Sequence, residues 1–299
     1  MKMTRTLTRL LITALFIQAA SISYAAKWQR VKNGKRAGIS GIAPIEVSTS
    51  GGSYLIVHDN KKPRDRKLAI IEVHKKRKPL YIPVDWPQEA ASPVDLESLT
   101  PYPGKQKDTY LAATSKGDIF HIELDTGNRK IKVLKRFTFP NSGGKNFEGF
   151  GSYEKNGSVL AVWAHRGGKG AAATLFWSAF DPANYRFSDV GSTSFRVPWP
   201  TGNAVRSISD LTIDSNGIVY ISAASDPGDN GPFDSAVYRI GKIVTKDKRL
   251  SPQWKEQPEE VHRLRGHKVE GLVLFPGKST AFLVGTDDEN KGSSIRFLP

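Results

Sequence analysis

The chain has 299 residues, no cysteine, and 44 Lys and Arg against 29 Asp and Glu, a formal charge of +15. That excludes small disulfide-stapled scaffolds, cysteine nucleophiles and thiolate metal sites. The length allows a large core in one or two domains, and the positive balance favours acidic partners.

In chain order, the first element is an export signal. Lys2, Arg5 and Arg9 form a positive n-region, residues 10–20 an apolar run, and Ser23-Tyr24-Ala25 puts small residues at the −3 and −1 positions of a cleavage site. The apolar run is shorter than the roughly 20 residues that span a bilayer. The expectation is residues 1–25 as signal peptide and 26–299 as one exported domain, periplasmic or extracellular, with no transmembrane segment after cleavage. Export also argues against nucleic acid as a partner.

A signature then repeats five times: Ser40-Gly41-Ile42, Glu97-Ser98-Leu99, Glu148-Gly149-Phe150, Ser209-Asp210-Leu211 and Glu270-Gly271-Leu272. Its apolar anchors stand 57, 51, 61 and 61 positions apart. After each comes a hydrophobic strand with a polar end: 54–57 into His58-Asp59, 110–113 into Thr114-Ser115, 159–164 into His165-Arg166, 219–222 towards Ser225-Asp226, and 281–284 towards Thr286-Asp287-Asp288. Third strands are predicted at 68–73, 119–124, 174–180, 236–240 and 294–298, and fourth strands near 80–84, 131–139, 194–197 and 260–264. β-Branched and aromatic residues fill these runs, and Gly, Pro, Asn and Asp separate them.

Repeats of this length in an all-β chain predict a five-bladed β-propeller of four-stranded blades. The fifth unit lacks an outer strand, so residues 27–33 are expected to supply it and close the ring. The alternatives are an open sandwich and a six-bladed ring with its extra unit between 181 and 206.

Propeller geometry brings the signatures and the polar strand ends to one mouth of the central channel. Glu97, Glu148, Asp210, Glu270, Asp59, Asp226, Asp287 and Asp288 would gather there with His58, His165 and Arg166. Four uses fit such a ring. Calcium takes 6 to 8 hard oxygen ligands, which makes Glu97, Glu148, Glu270, Asp287 and Asp288 its candidate ligands. Lys or Arg could neutralise the ring instead, Arg166 first. The carboxylates could cap backbone N–H groups, or one could act as a general base. His58, Asp59, His165, Arg166 and Asp226 are the candidate ligand-binding residues.

The Glu-Gly-apolar starts at Glu148 and Glu270, with Gly285-Thr286-Asp287-Asp288-Glu289-Asn290 ending the last inner hairpin, resemble the phytase-like and esterase-like propeller group. The resemblance implies export, calcium at the channel mouth and phosphate-ester substrates. Glu97 is followed by Ser98, the fourth unit carries Ser209-Asp210, and the first has no acid, so the full pattern is present in two of five units.

Weaker motifs complete the reading. Lys61, Lys62, Arg64, Arg66 and Lys67 should border the mouth, whereas His74, Lys75, Lys76, Arg77 and Lys78 should lie on the opposite face. The acidic loop 226–231 lacks the alternation of a hand-type calcium loop, and the glycine-rich 166–170 segment is not a P-loop. No Gly-x-Ser-x-Gly elbow occurs, and His262 and His267 lack the company zinc requires. The expected function is binding of an anionic small molecule or cell-surface polyanion. The alternatives are a calcium-dependent phosphoesterase and a scaffold for a protein partner.

Overall fold

The computed structural model describes residues 27–299 except 49, 75, 76, 105, 141–145 and 276–280. The segment expected to be an export signal lies outside the described residues, as do Lys75 and Lys76. No described helix is long and apolar enough to cross a membrane.

The described chain folds into five four-stranded antiparallel sheets, arranged as a five-bladed propeller. Blade one is β2 (Gly41–Ser48), β3 (Gly51–Val57), β4 (Leu68–His74) and β5 (Arg77–Val84). Blade two is β6 (Leu96–Pro101), β7 (Thr109–Thr114), β8 (Asp118–Asp125) and β9 (Lys130–Thr138). Blade three is β10 (Phe147–Lys155), β11 (Ser158–His165), β12 (Ala173–Asp181) and β13 (Arg186–Phe195). Blade four is β14 (Val205–Ile213), β15 (Ile218–Ser225), β16 (Asp234–Lys246) and β17 (Arg249–Arg265). Blade five joins β18 (Val269–Leu274), β19 (Phe282–Thr286) and β20 (Ser293–Leu298) to β1 (Gln29–Lys32).

The ring closes as the sequence predicts. β1 pairs antiparallel with β20, Gln29 opposite Ile295 and Arg30 opposite Ser294. Arg30 Nη1 donates to the Lys291 carbonyl at 2.6 Å. This pairing covers the β20 edge, which would otherwise template another chain. The 181–206 segment holds β13 and a connector, not a sixth blade. The β16–β17 hairpin is longer than its sequence pattern announced, because Lys and Glu interrupt the alternation that marks a strand.

The apolar alternation of each blade is buried against its two neighbours, one cluster per interface. Leu55, Val57 and Ile70 meet Leu96, Tyr110 and Phe120 between blades one and two. Between blades two and three, Trp163 stacks on Phe139 and Phe176 at centroid distances of 5.1 and 5.7 Å. Leu160 and Val162 meet Leu211 and Ile221 next. Val237 and Leu264 meet Leu272 and Val284, and Ile42 and Ile56 meet Leu283 and Ile295 to complete the circuit. Each such side chain, fully buried, contributes about 1.5–3 kcal/mol against leaving it exposed.

The signature has a packing cause. Its third residue (Ile42, Leu99, Phe150, Leu211 or Leu272) is buried in an interblade cluster. Its middle residue must be small where the neighbouring inner strand approaches. A Cβ on Gly149 would lie 2.8 Å from Leu211 Cβ, and one on Gly271 would lie 2.9 Å from Ile39 Cγ2.

Candidate functional site

The first signature residue is set by a break in strand pairing. In blade two the β6–β7 register shifts between Leu96 and Ser98, in blade three between Phe147 and Gly149, and in blade five between Val269 and Gly271. Glu97, Glu148 and Glu270 are therefore the residues at three equivalent bulges. A bulge re-aims the side chain it carries, and here the three glutamates come to the channel mouth. They are buried, at 7%, 0% and 2% exposure.

The mouth contains a cavity of about 320 Å³ walled by Lys35, Asp59, Lys61, Asp95, Glu97, Ser115, Asn146, Arg166, Arg206, Lys268, Glu270, Asp287 and Glu289. Every one of these residues is polar or charged. Three cations hold the acids together. Arg206 Nη1 donates to Glu270 Oε1 at 2.7 Å and lies 3.7 Å from Glu148 Oε1, while its Nη2 pairs with Asp226. Arg166 Nη1 donates to Glu148 Oε1 at 2.8 Å. Lys268 Nζ, at 1% exposure, sits 2.5 Å from Glu289, 3.3 Å from Glu270 and 3.4 Å from Asp287.

Burial opposes the charges of Arg206 and Lys268. The surrounding carboxylates outweigh it, and both groups are held above their usual pKa range. On the acids of the mouth, burial acts first and raises each shifted carboxyl. Glu148 is pushed up to about 7, against the pull of Arg206 and Arg166. Asp59 is pushed up to about 6, with Glu270 and Asp95 adding to burial. Glu97 stands well above its usual value through burial and the charges of Glu148 and Glu270. Asp287 is raised by burial and Glu270, with Lys268 opposing. Glu97 has no cation within ion-pair distance among the described residues, so no direct ion pair offsets the burial that raises it.

The expected ligand set divides. Asp59 and Arg166 line the mouth, as do Glu97, Glu270 and Asp287; Glu148 and Asp226 form its second layer through Arg166 and Arg206. His58 does not reach it. It is fully buried, with Nδ1 2.5 Å from the Gly38 carbonyl and Nε2 3.0 Å from Tyr81 Oη, and burial holds its pKa down at about 4. His165 accepts the Gly167 N–H at Nδ1 and is not a wall residue. Asp288 is a cap: it accepts the Lys268 N–H at 2.8 Å and the Thr286 hydroxyl at 3.0 Å, and pairs with His267 Nδ1 at 2.7 Å. Asp210 is a second cap, taking the N–H groups of Leu211 and Leu272, each at 2.7 Å, and so tying blade four to blade five.

Arg206, Lys268, Asp95 and Lys35 were not legible from the signature alone. Their one signal is position: Lys268 and Asp95 stand two residues before a signature glutamate, and Arg206 three before Ser209.

Of the carboxylates expected to hold calcium, Glu148 through Oε1, Glu270 and Asp287 face Arg166, Arg206 and Lys268, while Glu148 Oε2 is buried without a hydrogen-bond partner. Among the described residues no three His, Asp or Glu side chains are grouped to hold a metal ion.

No protein-family model and no curated protein sequence matches the chain. Among solved structures, a protein described as a glycoside hydrolase superposes with a TM-score of 0.52 at 11% identity, over 90% of this chain and 62% of its own. An exo-1,5-α-L-arabinanase from a bovine ruminal metagenomic library gives 0.48 at 11% identity, over 90% and 95% of the two chains. An α-L-arabinofuranosidase from Fusarium graminearum gives 0.48 at 11%, over 91% and 96%. At such identities the likeness is one of fold, and the fold is a β-propeller. The resemblance to the phytase-like group gains no support beyond the propeller itself. The physical reason lies in the two signatures that carry the resemblance: at Glu148-Gly149 and Glu270-Gly271 a bulged first residue and a small second one are what blade packing requires, whatever the chemistry at the mouth.

Proposed function

We propose that the channel mouth binds a small anionic carbohydrate. The observation that carries this reading is the composition of the wall, in which five cations and six carboxyls surround about 320 Å³. That volume is at the lower end of the roughly 300–1,000 Å³ typical of small-molecule sites. A polyhydroxylated ligand needs donors and acceptors in close alternation, and a wall of this kind supplies both. Lys35 and Lys61, more than half exposed at the rim, offer positive charge to an acid group on the sugar.

The reading includes export, because the N-terminal signal would deliver the protein to the compartment where surface glycans lie. Fractionation of cells expressing the full chain tests that part; retention in the cytoplasm would remove it. Calorimetric titration of the purified protein with galacturonic acid and with its neutral parent sugar tests the site. Binding of the acid, lost in Glu97→Gln, supports the proposal, and equal heats for protein and buffer reject it. The titration is run in chelator and again in millimolar calcium, so a metal requirement would show as binding in calcium alone.

A second reading, hydrolysis, is favoured by one observation. Burial holds Glu97 above its usual pKa range with no ion-pair partner among the described residues, whereas Glu270 faces both Arg206 and Lys268. Two acids in opposed environments are the arrangement from which acid and base roles are drawn. Release of nitrophenol from nitrophenyl uronides by the native protein, and not by Glu97→Gln, would support it; no release from any of them would leave binding alone.

A further inference from the structure

Beside the mouth, at the seam where β1 closes the ring, lies a second cavity of about 540 Å³. Lys35 lines both. Its walls bring Lys32, Lys35, Arg36, Arg64 and Arg66 together with Tyr81, and Asp65 is the one acid among them. Arg36 lies 3.3 Å from Asp65, Arg66 pairs with Asp85 at 2.8 Å and Lys35 with Asp229 at 2.6 Å. Lys35 also lies 4.0 Å from Glu289, and with these four acids counted against the five cations the seam keeps a positive excess.

The backbone that bears these cations is held in place by buried polar contacts. Asn60, 7% exposed, donates through Nδ2 to the carbonyls of Arg36 at 3.0 Å and Arg66 at 2.8 Å. One amide thus fixes the closing turn against the β3–β4 loop. Lys67 is buried, and its ammonium donates to the Asn60 and Lys62 carbonyls at 2.5 and 2.9 Å. Lys32 Nζ rests 4.0 Å from the centroid of the Tyr81 ring. The backbone that carries Arg36, Arg64 and Arg66 is therefore fixed, so an anion arriving at the seam orders side chains and not the chain itself.

We propose that the seam cavity is an oxyanion subsite, holding the carboxylate, sulfate or phosphate group of an anionic glycan whose neighbouring unit occupies the mouth. The link to the mouth rests on the carbohydrate reading above, and the positive seam stands without it. Arginines at this seam offer paired N–H donors matched to planar carboxylate or to phosphate and sulfate oxygens.

The test is calorimetric titration of the purified protein with inorganic sulfate, galacturonic acid and tetragalacturonate. It compares the native chain with Arg36→Gln/Arg64→Gln, which alters outward-facing seam side chains, and with Glu97→Gln in the mouth. The native chain is expected to bind sulfate in the millimolar range and the tetramer at least tenfold more tightly than the monomer. The double variant should lose sulfate binding and the tetramer's advantage while keeping the monomer. Sulfate and tetramer binding unchanged in the double variant overturns the subsite. If Glu97→Gln alone weakens the tetramer, the mouth reading stands and the subsite falls. If the double variant alone weakens it, the subsite stands and the mouth reading falls.

Discussion

Arg206 Nη1 and Glu270 Oε1 lie 2.7 Å apart across 64 positions of chain, joining the inner strands of blades four and five. The same nitrogen is 3.7 Å from Glu148 on blade three, so one guanidinium spans three blades. Removing one partner of a buried pair costs about 3–5 kcal/mol, because the others are left buried and uncompensated. Arg206→Gln is expected to lose that much in denaturant unfolding, followed by tryptophan fluorescence. A loss below about 1 kcal/mol would mean that Lys268 and Arg166 already satisfy the acids.

Glu97 should behave in the opposite way. Its charge is opposed by burial and by Glu148 and Glu270. Glu97→Gln removes that repulsion and strands no cation. Its midpoint of unfolding at pH 8 should equal or exceed that of the native chain, while ligand binding is lost. Glu148→Gln, which takes a carboxylate from Arg166, should be destabilised under the same conditions. If Glu97→Gln proves the less stable of the two, Glu97 is a structural residue.

The raised pKa of Asp59 gives stability a direction with pH. The group moves from 3.8 to about 6 on folding, chiefly through burial. A carboxyl that keeps its proton more firmly when folded makes the native state bind more protons than the unfolded one. Its contribution is full below about pH 4 and is lost as pH rises to about 6, at a slope of up to ~1.4 kcal/mol per pH unit. Stability curves of Asp59→Asn between pH 4 and 6 should be flatter than those of the native chain. Parallel curves would show that Asp59 does not carry the slope.

Gly149 stands where the inner strand of blade four passes closest. An alanine there would bring its Cβ to 2.8 Å from Leu211 Cβ and 3.1 Å from the Leu211 backbone N. Overpacking of this kind costs about 1–3 kcal/mol. Gly149→Ala should lower the melting temperature, whereas alanine at Gly157, where a Cβ meets nothing within 4 Å, should act only through its backbone angle. Equal stability of Gly149→Ala and the native chain would show that the blades can part to admit the methyl group.

Closure of the ring can be tested by deleting residues 27–33. Without β1 the β20 edge is left unpaired. The shortened chain is expected to melt at a lower temperature and to associate, as read by light scattering. A monomer of native stability would mean that three strands suffice for blade five.

Much of the fold was legible because blade structure is written locally. Alternating β-branched runs such as 54–57 and 219–222, set apart by turn residues, became strands with the expected pairing. The orphaned edge of the fifth unit and the strand-like segment near residue 29 match one another in the sequence alone. The site was legible only in part. Glu97, Glu148 and Glu270 stood out through the repeat, and the bulges that aim them coincide with it. His58 and Asp288 carried the same polar-end signal and became buried structural contacts, because that signal does not encode what lies on the other side of the side chain.

The sequence by itself determined an all-β repeat of five units, a ring closed by its own N-terminal segment, and a collection of carboxyls at one mouth. Those properties depend on period-two burial and on spacing, both of which are local. Only the tertiary structure decided how the carboxyls are compensated. Arg166, Arg206 and Lys268 reach them across blade boundaries, and a pairing between residues tens of positions apart exists only once the ring has closed. The same closure places Lys32, Lys35 and Arg36 beside Arg64 and Arg66, a charged wall that no single stretch of the chain contains.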